Sequence, residues 1–324
     1  MNSLLEKASK RPARIIFPEG DDERVASALF KIRDLNIAQP LVFYHGKENR
    51  YSGFDVLDPY QDEVLDKYAG LYGELRKPQN LSKDKTKSLL KSNQVFTAAL
   101  MVREGLADAL IAGAAHATKD VARAVIHCLG PESGGLVSSC FLMDTMVQEF
   151  GYNGKFIFAD CGVIVSPNSE QLAEIAINSG ELFKVLFEQE PCIAILSYST
   201  KGSASGDTVD KIREALEITK KKNPQLNIDG EMQADAAIVR EVAKIKCPNS
   251  TVAGRANVLI FPDLNSGNIC YKLVDRLTKA RALGPIFLGT KYPASDLSRG
   301  CDSEEIVLVT AVISIMAQLK SKGL

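Results

Sequence analysis

The stretch FIFADCGVIVSPNSEQLAEIAINSGELFKVL, residues 156–186, decides the fold class. Residues 156–159 form an unbroken apolar run, the pattern of a strand covered on both faces. A polar cluster, Asp160-Cys161-Gly162, closes the run. Leu172, Ile175, Ala176, Ser179, Leu182, Phe183 and Leu186 then recur at the spacing of one helix face. Outward from this stretch the same alternation repeats. Candidate strands fall at 15–17, 40–44, 109–112, 138–142, 193–196, 227–229, 258–261 and 286–288. Helical patterns fall at 22–35, 94–106, 118–129, 207–222, 233–246 and 267–282. The N-terminal MNSLLEKASKRPAR reads as a short helix leading into the first strand. Alternating strand and helix predicts an α/β fold with mainly parallel sheets. Residues 45–85 are polar, rich in Tyr, Asp and Lys, and poorly periodic; they read as an irregular, partly helical excursion.

A chain of 324 residues is long enough for two domains. The segment GPESGGLVSS at 130–139, with three glycines, a proline and three serines, marks one crossing, and GTKYPASD at 289–296 marks the return. The expected division is 1–135 plus 290–324 for the first domain and 136–289 for the second, inserted into it. Net charge is −1, with 39 basic and 40 acidic residues, which gives no electrostatic case for nucleic acid or an anionic membrane. The apolar runs are shorter than a membrane span needs, and the N-terminus lacks the apolar core of a secretory signal.

Seven cysteines, an odd number with no C-x-x-C, point to reduced thiols and a cytoplasmic location. The three histidines, His45, His116 and His127, form no H-E-x-x-H, so no zinc site is expected. His127 lies in the apolar run AVIHCL and reads as structural. A mechanism working mainly without histidine is therefore expected.

In an open α/β sheet, ligands gather at the carboxyl ends of strands. Four such loops stand out: Gly113-Ala114-Ala115-His116-Ala117-Thr118, the Asp160 cluster, Ser197-Tyr198-Ser199-Thr200-Lys201, and Asp263-Leu264-Asn265-Ser266-Gly267-Asn268. They supply hydroxyls, amides and N–H groups near helix starts, which suits anions. No two glycines stand two residues apart, so G-x-G-x-x-G is absent, and no G-x-x-x-x-G-K-[ST] is present. A standard dinucleotide site or P-loop is disfavoured.

The segment SDLSRGCDSEEIV at 295–307 is the densest in chemistry. Arg299 can grip a phosphate with two parallel N–H bonds, which Lys cannot. Ser298 can donate to a developing oxyanion. Glu305 has two readings. It can act as a base, or it can close a capping box with Asp302 at the start of a helix whose apolar face is Ile306, Val307, Val309, Val312, Ile313 and Met316.

Taken together, GAAHATKDVARAV at 113–125, FADCGV at 158–163, LSYSTKGSA at 196–204, IDGEMQADAAIV at 228–239, VAGRANVLIFPDLNSGNICYKL at 252–273 and SDLSRGCDSEEIV at 295–307 resemble the phosphate acetyltransferases (phosphotransacetylases) nearly end to end. The resemblance implies two α/β domains with an active-site cleft between them. It implies reversible transfer of an acetyl group between acetyl phosphate and CoA, by direct attack of the thiolate. It also implies a cytoplasmic homodimer with no metal and no tightly bound cofactor, CoA being a substrate. Carried over by motif, Arg299 grips the phosphate, Ser298 stabilises the tetrahedral transition state, and Arg76 and Arg123 bind CoA. Thr118, Ser197, Thr200, Lys201, Asn265 and Asn268 are further candidate substrate contacts. The family's base is an aspartate, and the matching position here is Glu305, one methylene longer; Glu304 beside it is an alternative. Direct transfer leaves Cys301 no nucleophilic role. Other readings are a transferase for longer chains such as butyryl, a ligand-sensing domain of the same fold, and a decarboxylating dehydrogenase of related architecture. The last would need a metal-binding carboxylate cluster and a nicotinamide site, neither of which is evident.

Overall fold

The computed structural model describes residues 1–46, 50–132 and 135–320. The chain opens with α1 (Asn2–Ser9), β1 (Ala13–Phe17), α2 (Glu23–Asp34), β2 (Ala38–Phe43), β3 (Asp55–Leu57), α3 (Asp62–Leu75), α4 (Lys83–Ser92), α5 (Gln94–Arg103), β4 (Ala109–Ala112) and α6 (Thr118–Ala124). It continues through β5 (Ser138–Asp144), β6 (Lys155–Ala159), α7 (Ser169–Phe187), β7 (Ile193–Leu196), α8 (Asp207–Lys222), β8 (Ile228–Met232), α9 (Ala234–Ile238), α10 (Arg240–Lys246), β9 (Val258–Ile260), α11 (Leu264–Thr278) and β10 (Arg281–Leu288). It ends with β11 (Ala294–Asp296) and α12 (Ser303–Lys320).

Contacts divide it into two compact units, Met1–Gly134 with Thr290–Leu324, and Gly135–Gly289. Ser133 and Gly134, within the glycine-rich crossing, lie outside the described residues. In the first unit the strand order is β3-β2-β1-β4-β11, with neighbouring strands parallel. In the second the order is β10-β5-β6-β9-β7-β8. There β5 runs antiparallel to both β10 and β6, while β6, β9, β7 and β8 are parallel. The fold class is α/β with a largely parallel sheet, as the strand–helix alternation predicts.

The strands behave as their composition dictates. All residues of β4 and β7 are buried, so neither face alternates. Helix α7 begins on a capping box, Asn168 accepting from Gln171 N while the Gln171 side chain accepts from Asn168 N.

Several details depart from the expectations. Of residues 45–85, 47–49 lie outside the described residues; the rest hold β3, all of α3 and the start of α4, where an irregular, partly helical excursion was expected. Tyr68 and Tyr72 carry the buried face of α3, so apolar periodicity alone understates it. The pattern at 267–282 belongs to α11, which ends at Thr278, and to β10, which takes up the chain at Arg281. The pattern at 233–246 is two helices broken at the extended residue Val239. Helix α12 is buried on all sides from Ile306 to Ile315, rather than along one face, because helices and strands of its unit surround it.

Candidate active site

In the first unit the carboxyl ends of β1, β4 and β11 converge. Strands β4 and β11 are parallel neighbours with Ala112 opposite Asp296, and Leu297 N donates to Ala112 O at 2.6 Å. Gly113 follows at φ +113, where an added Cβ would run into the Asp296 carboxylate and the Leu297 backbone, so only glycine fits.

The loop after β4 is moulded on one carboxylate. Glu19, buried just beyond β1, accepts from Gly113 N and Ala114 N at 2.8 Å each, from Ala115 N at 2.9 Å and from His116 N at 3.0 Å. His116 Nδ1 lies 2.7 Å from the same carboxylate. Four consecutive main-chain donors around one anion form a nest.

Arg24 ties this loop to the one bearing Ser298 and Arg299. Its guanidinium donates to Ala114 O at 2.8 Å, Arg299 O at 2.7 Å and Cys301 O at 3.2 Å. Asp22, the N-cap of α2, accepts from Arg24 N and Val25 N and pairs with the Arg24 side chain, whose hydrogen bond holds the Asp22 carboxyl below its ordinary range. The Ser298–Arg299 loop is therefore fixed through its main chain while both side chains remain exposed. The Arg299 guanidinium makes no ion pair among the described residues. Ser298 Oγ accepts from Gly300 N at 3.2 Å, leaving its hydroxyl hydrogen available. Cys301 is buried and its thiol is pushed up to about 11, chiefly by burial, which opposes a nucleophilic role.

At the start of α12 the capping geometry is formed. Asp302 accepts from Glu304 N and Glu305 N at 2.8 Å each, and Glu305 Oε2 accepts from Asp302 N at 3.2 Å. Glu305 thus caps the helix in this structure. One of its oxygens is directed to the main chain by a bond at the long end of the normal range.

Asp296 is fully buried, and neither carboxylate oxygen has a hydrogen-bond partner of normal geometry. Burial pushes it up to about 7, Glu19 adding to the rise and Thr118, Arg299 and His116 pulling the other way. A raised carboxyl means that the folded chain holds the proton more tightly than the unfolded one. This contribution to stability is present in full below pH 4 and is lost as pH rises toward 7. Asp296→Asn, which cannot ionise, should gain stability relative to the unsubstituted chain by roughly 2–4 kcal/mol between pH 4 and pH 8. Urea unfolding at both pH values checks this, and a difference that does not change with pH would show that Asp296 does not titrate there.

Arg76 and Arg123, distant in sequence, flank one pair of side chains. Tyr72 Oη is 2.9 Å from His127 Nδ1. Burial lowers the His127 pKa, and the charges of Arg76 and Arg123 lower it further. Arg76, at the end of α3, donates to Gln79 Oε1 at 2.8 Å, and Arg123 is exposed in the last turn of α6. Thr118 is exposed at the start of that same helix. The structure thus brings Arg76 and Arg123 into one basic region of the first unit. His127, half-buried, is held by its bond to Tyr72.

The remaining candidates belong to the second unit. Ser197 Oγ accepts from Ser199 N at 3.2 Å. Thr200 is buried; it accepts from Gln233 N and donates to Gln233 Oε1. Lys201 is paired with Asp229 and donates to Gly230 O at 2.9 Å. It lines a cavity of about 490 Å³ with Lys220, Asp229, Lys246 and Ser250. The side chains of Thr200 and Lys201 are thus engaged within their own unit, an arrangement the motif alone does not reveal. Asn265 is exposed in the first turn of α11, and Asn268 donates to Cys161 O at 3.1 Å. Two buried carboxylates shape these loops as Glu19 shapes the first. Asp160 accepts from Ser139 Oγ and from Gly162, Val163 and Ile164 N. Glu231 accepts from Ser199 Oγ, Gly202 N and Arg213; burial opposes its charge, yet these donors hold it down at about 2.

Glu19, Arg24 and Asp296 received no role from the sequence. The strand-end rule carried one step further would have singled out Glu19, which follows the first apolar run.

The family model described as Phosphate acetyl/butaryl transferase matches residues 1–314. This chain belongs to the phosphate acetyl/butaryl transferase family. The phosphate acetyltransferase of Thermoanaerobacterium thermosaccharolyticum is 46% identical over 326 residues, covering 98% of this chain and 99% of the relative. That of Bacillus subtilis is 38% identical, covering 96% and 97%. Among solved structures, a phosphotransacetylase from Streptococcus pyogenes superposes with a TM-score of 0.89 at 36% identity, covering 98% of both chains. A 4-hydroxythreonine-4-phosphate dehydrogenase from Klebsiella pneumoniae, at TM-score 0.52 and 12% identity, shares the fold alone with this family member. No described helix of the chain is long and apolar enough to cross a membrane.

Proposed function

We propose that the chain is a phosphate acetyltransferase, converting acetyl-CoA and phosphate to CoA and acetyl phosphate, reversibly and by direct attack of the CoA thiolate. The observation that carries this is the Arg299 guanidinium, held in place through its main chain, without an ion pair among the described residues and beside the Ser298 hydroxyl. Phosphate meets Arg299 through paired charge-assisted hydrogen bonds. Ser298 donates to the carbonyl oxygen as the acyl carbon becomes tetrahedral. Arg76 and Arg123 hold the phosphate groups of CoA, Thr118 at the foot of the same helix adds a hydroxyl, and Glu305 takes the thiol proton. CoA enters as substrate and leaves as product.

We extend the proposal to a cytoplasmic homodimer. All seven cysteines are free, as a reducing compartment keeps them. Ile269, Leu273 and Leu277 stand exposed at every fourth position of α11, a stripe that the same stripe on a second copy would cover.

The test is one assay. Purified protein is mixed with CoA and acetyl, propionyl or butyryl phosphate, and thioester absorbance is followed. Acetyl phosphate should react best. Absence of thioester with every donor would overturn the enzyme reading, and a monomer by light scattering would remove the dimer.

A further inference from the structure

Glu19 and His116 form a carboxylate–imidazole pair at the carboxyl ends of β1 and β4. Both Glu19 oxygens accept main-chain N–H groups, and His116 Nδ1 stands 2.7 Å from Oε1. A carboxylate has only lone pairs to offer here, so Nδ1 carries the hydrogen and donates it. The ring tautomer and orientation are thereby set, and Nε2 becomes the open nitrogen. The His116 side chain keeps 21% exposure against 3% for Glu19, so the imidazole is the reachable member of the pair.

The pair stands beside the phosphate-gripping loop. Ala112 is opposite Asp296 in the parallel β4–β11 pair, so the loops bearing His116 and Ser298 leave neighbouring strands at the same edge. Arg24 bonds both loops at once, through Ala114 O on one and Arg299 O and Cys301 O on the other.

Resting on the acetyl-transfer reading, we propose that His116 is a further catalytic residue, its Nε2 carrying a proton to and from the phosphate oxygen, with Glu19 as its positioning residue. In thioester formation the sulfur–carbon bond forms and the carbon–oxygen bond to phosphate breaks. The thiol proton passes to Glu305. The departing oxygen takes the electron pair of the broken bond, and without a proton it would leave as a trianion. Imidazolium Nε2 donates that proton, giving hydrogen phosphate. Glu305 releases its proton to solvent and His116 takes one up, so one proton passes in balance from thiol to phosphate. In reverse, neutral His116 removes the proton of hydrogen phosphate as it attacks the thioester. A positioned imidazole can both give and take a proton at its open nitrogen, the commonest form of general acid–base catalysis.

The experiment compares the unsubstituted enzyme with His116→Gln and His116→Ala in both directions across pH. In the thioester-forming direction, His116→Gln should lose roughly 10²–10³-fold in kcat, with KM for CoA little changed. The fall of kcat on the alkaline side should disappear with it, and added imidazole should restore His116→Ala about tenfold or more. A loss that imidazole does not restore and that leaves the alkaline limb in place would assign His116 a structural role and overturn the proposal. Turnover within about threefold of the unsubstituted enzyme would do the same. If the unsubstituted enzyme itself makes no thioester, it is the acetyl-transfer reading that fails.

Discussion

Arg299→Lys should lose on the order of 10²–10³-fold in kcat/KM for acetyl phosphate while the fold stays intact. The charge is kept, but the planar fork that grips two phosphate oxygens at once is not. The leaving phosphate gains charge in the transition state, so a misdirected donor costs more there than in the ground state, and kcat should fall along with affinity. Stability should change by less than about 0.5 kcal/mol, because the side chain is exposed and the loop is held by Arg24 through Arg299 O. Steady-state kinetics with a thermal melt checks both halves. Near-unchanged kinetics would remove Arg299 as the phosphate ligand.

Glu305→Gln should fold normally and lose roughly 10²–10⁴-fold in turnover. The amide oxygen of Gln can accept from Asp302 N as Glu305 does, and Gln serves equally in a capping box, so the cap survives. What is lost is the charge proposed to take the thiol proton. Glu305→Asp shortens the side chain to the length the family resemblance favours and should retain activity or raise it. A shift of about an ångström can matter by roughly 10²-fold, so this variant also measures how well the longer side chain is placed. Glu304→Gln is the control. If it fails while Glu305→Gln turns over at the unsubstituted rate, Glu304 is the base. If neither variant loses turnover, Glu305 is a cap alone.

Much of this was legible beforehand because it is local. Unbroken apolar runs such as Ile193–Leu196 carry the composition of strands buried on both faces, and this one forms such a strand. The α7 and α8 patterns become helices because their periodicity, and for α7 its capping box, are written within twenty residues. Short β3 and β11 were not legible, since a strand of three residues exists only through its partners. The antiparallel placing of β5 between β10 and β6 was equally hidden, because direction is a property of a pair and not of a run.

The site divides along the same line. The candidates Ser298, Arg299 and Glu305 stand out in the sequence because they fall within one short segment whose residue types already suggest anion chemistry. The sequence by itself determined the α/β class, the family and that segment. Only the tertiary structure decided what holds the segment in place. Arg24 reaches Arg299 O across 275 positions, and Glu19 meets His116 across 97. A histidine that fits no spacing motif gains a fixed tautomer only when a carboxylate from another strand is brought to its Nδ1. Likewise, nothing in the letters around Asp296 tells that its carboxylate is buried without a hydrogen-bond partner of normal geometry. Burial and long-range hydrogen bonds arise from packing between strands, and packing is what a linear pattern does not record.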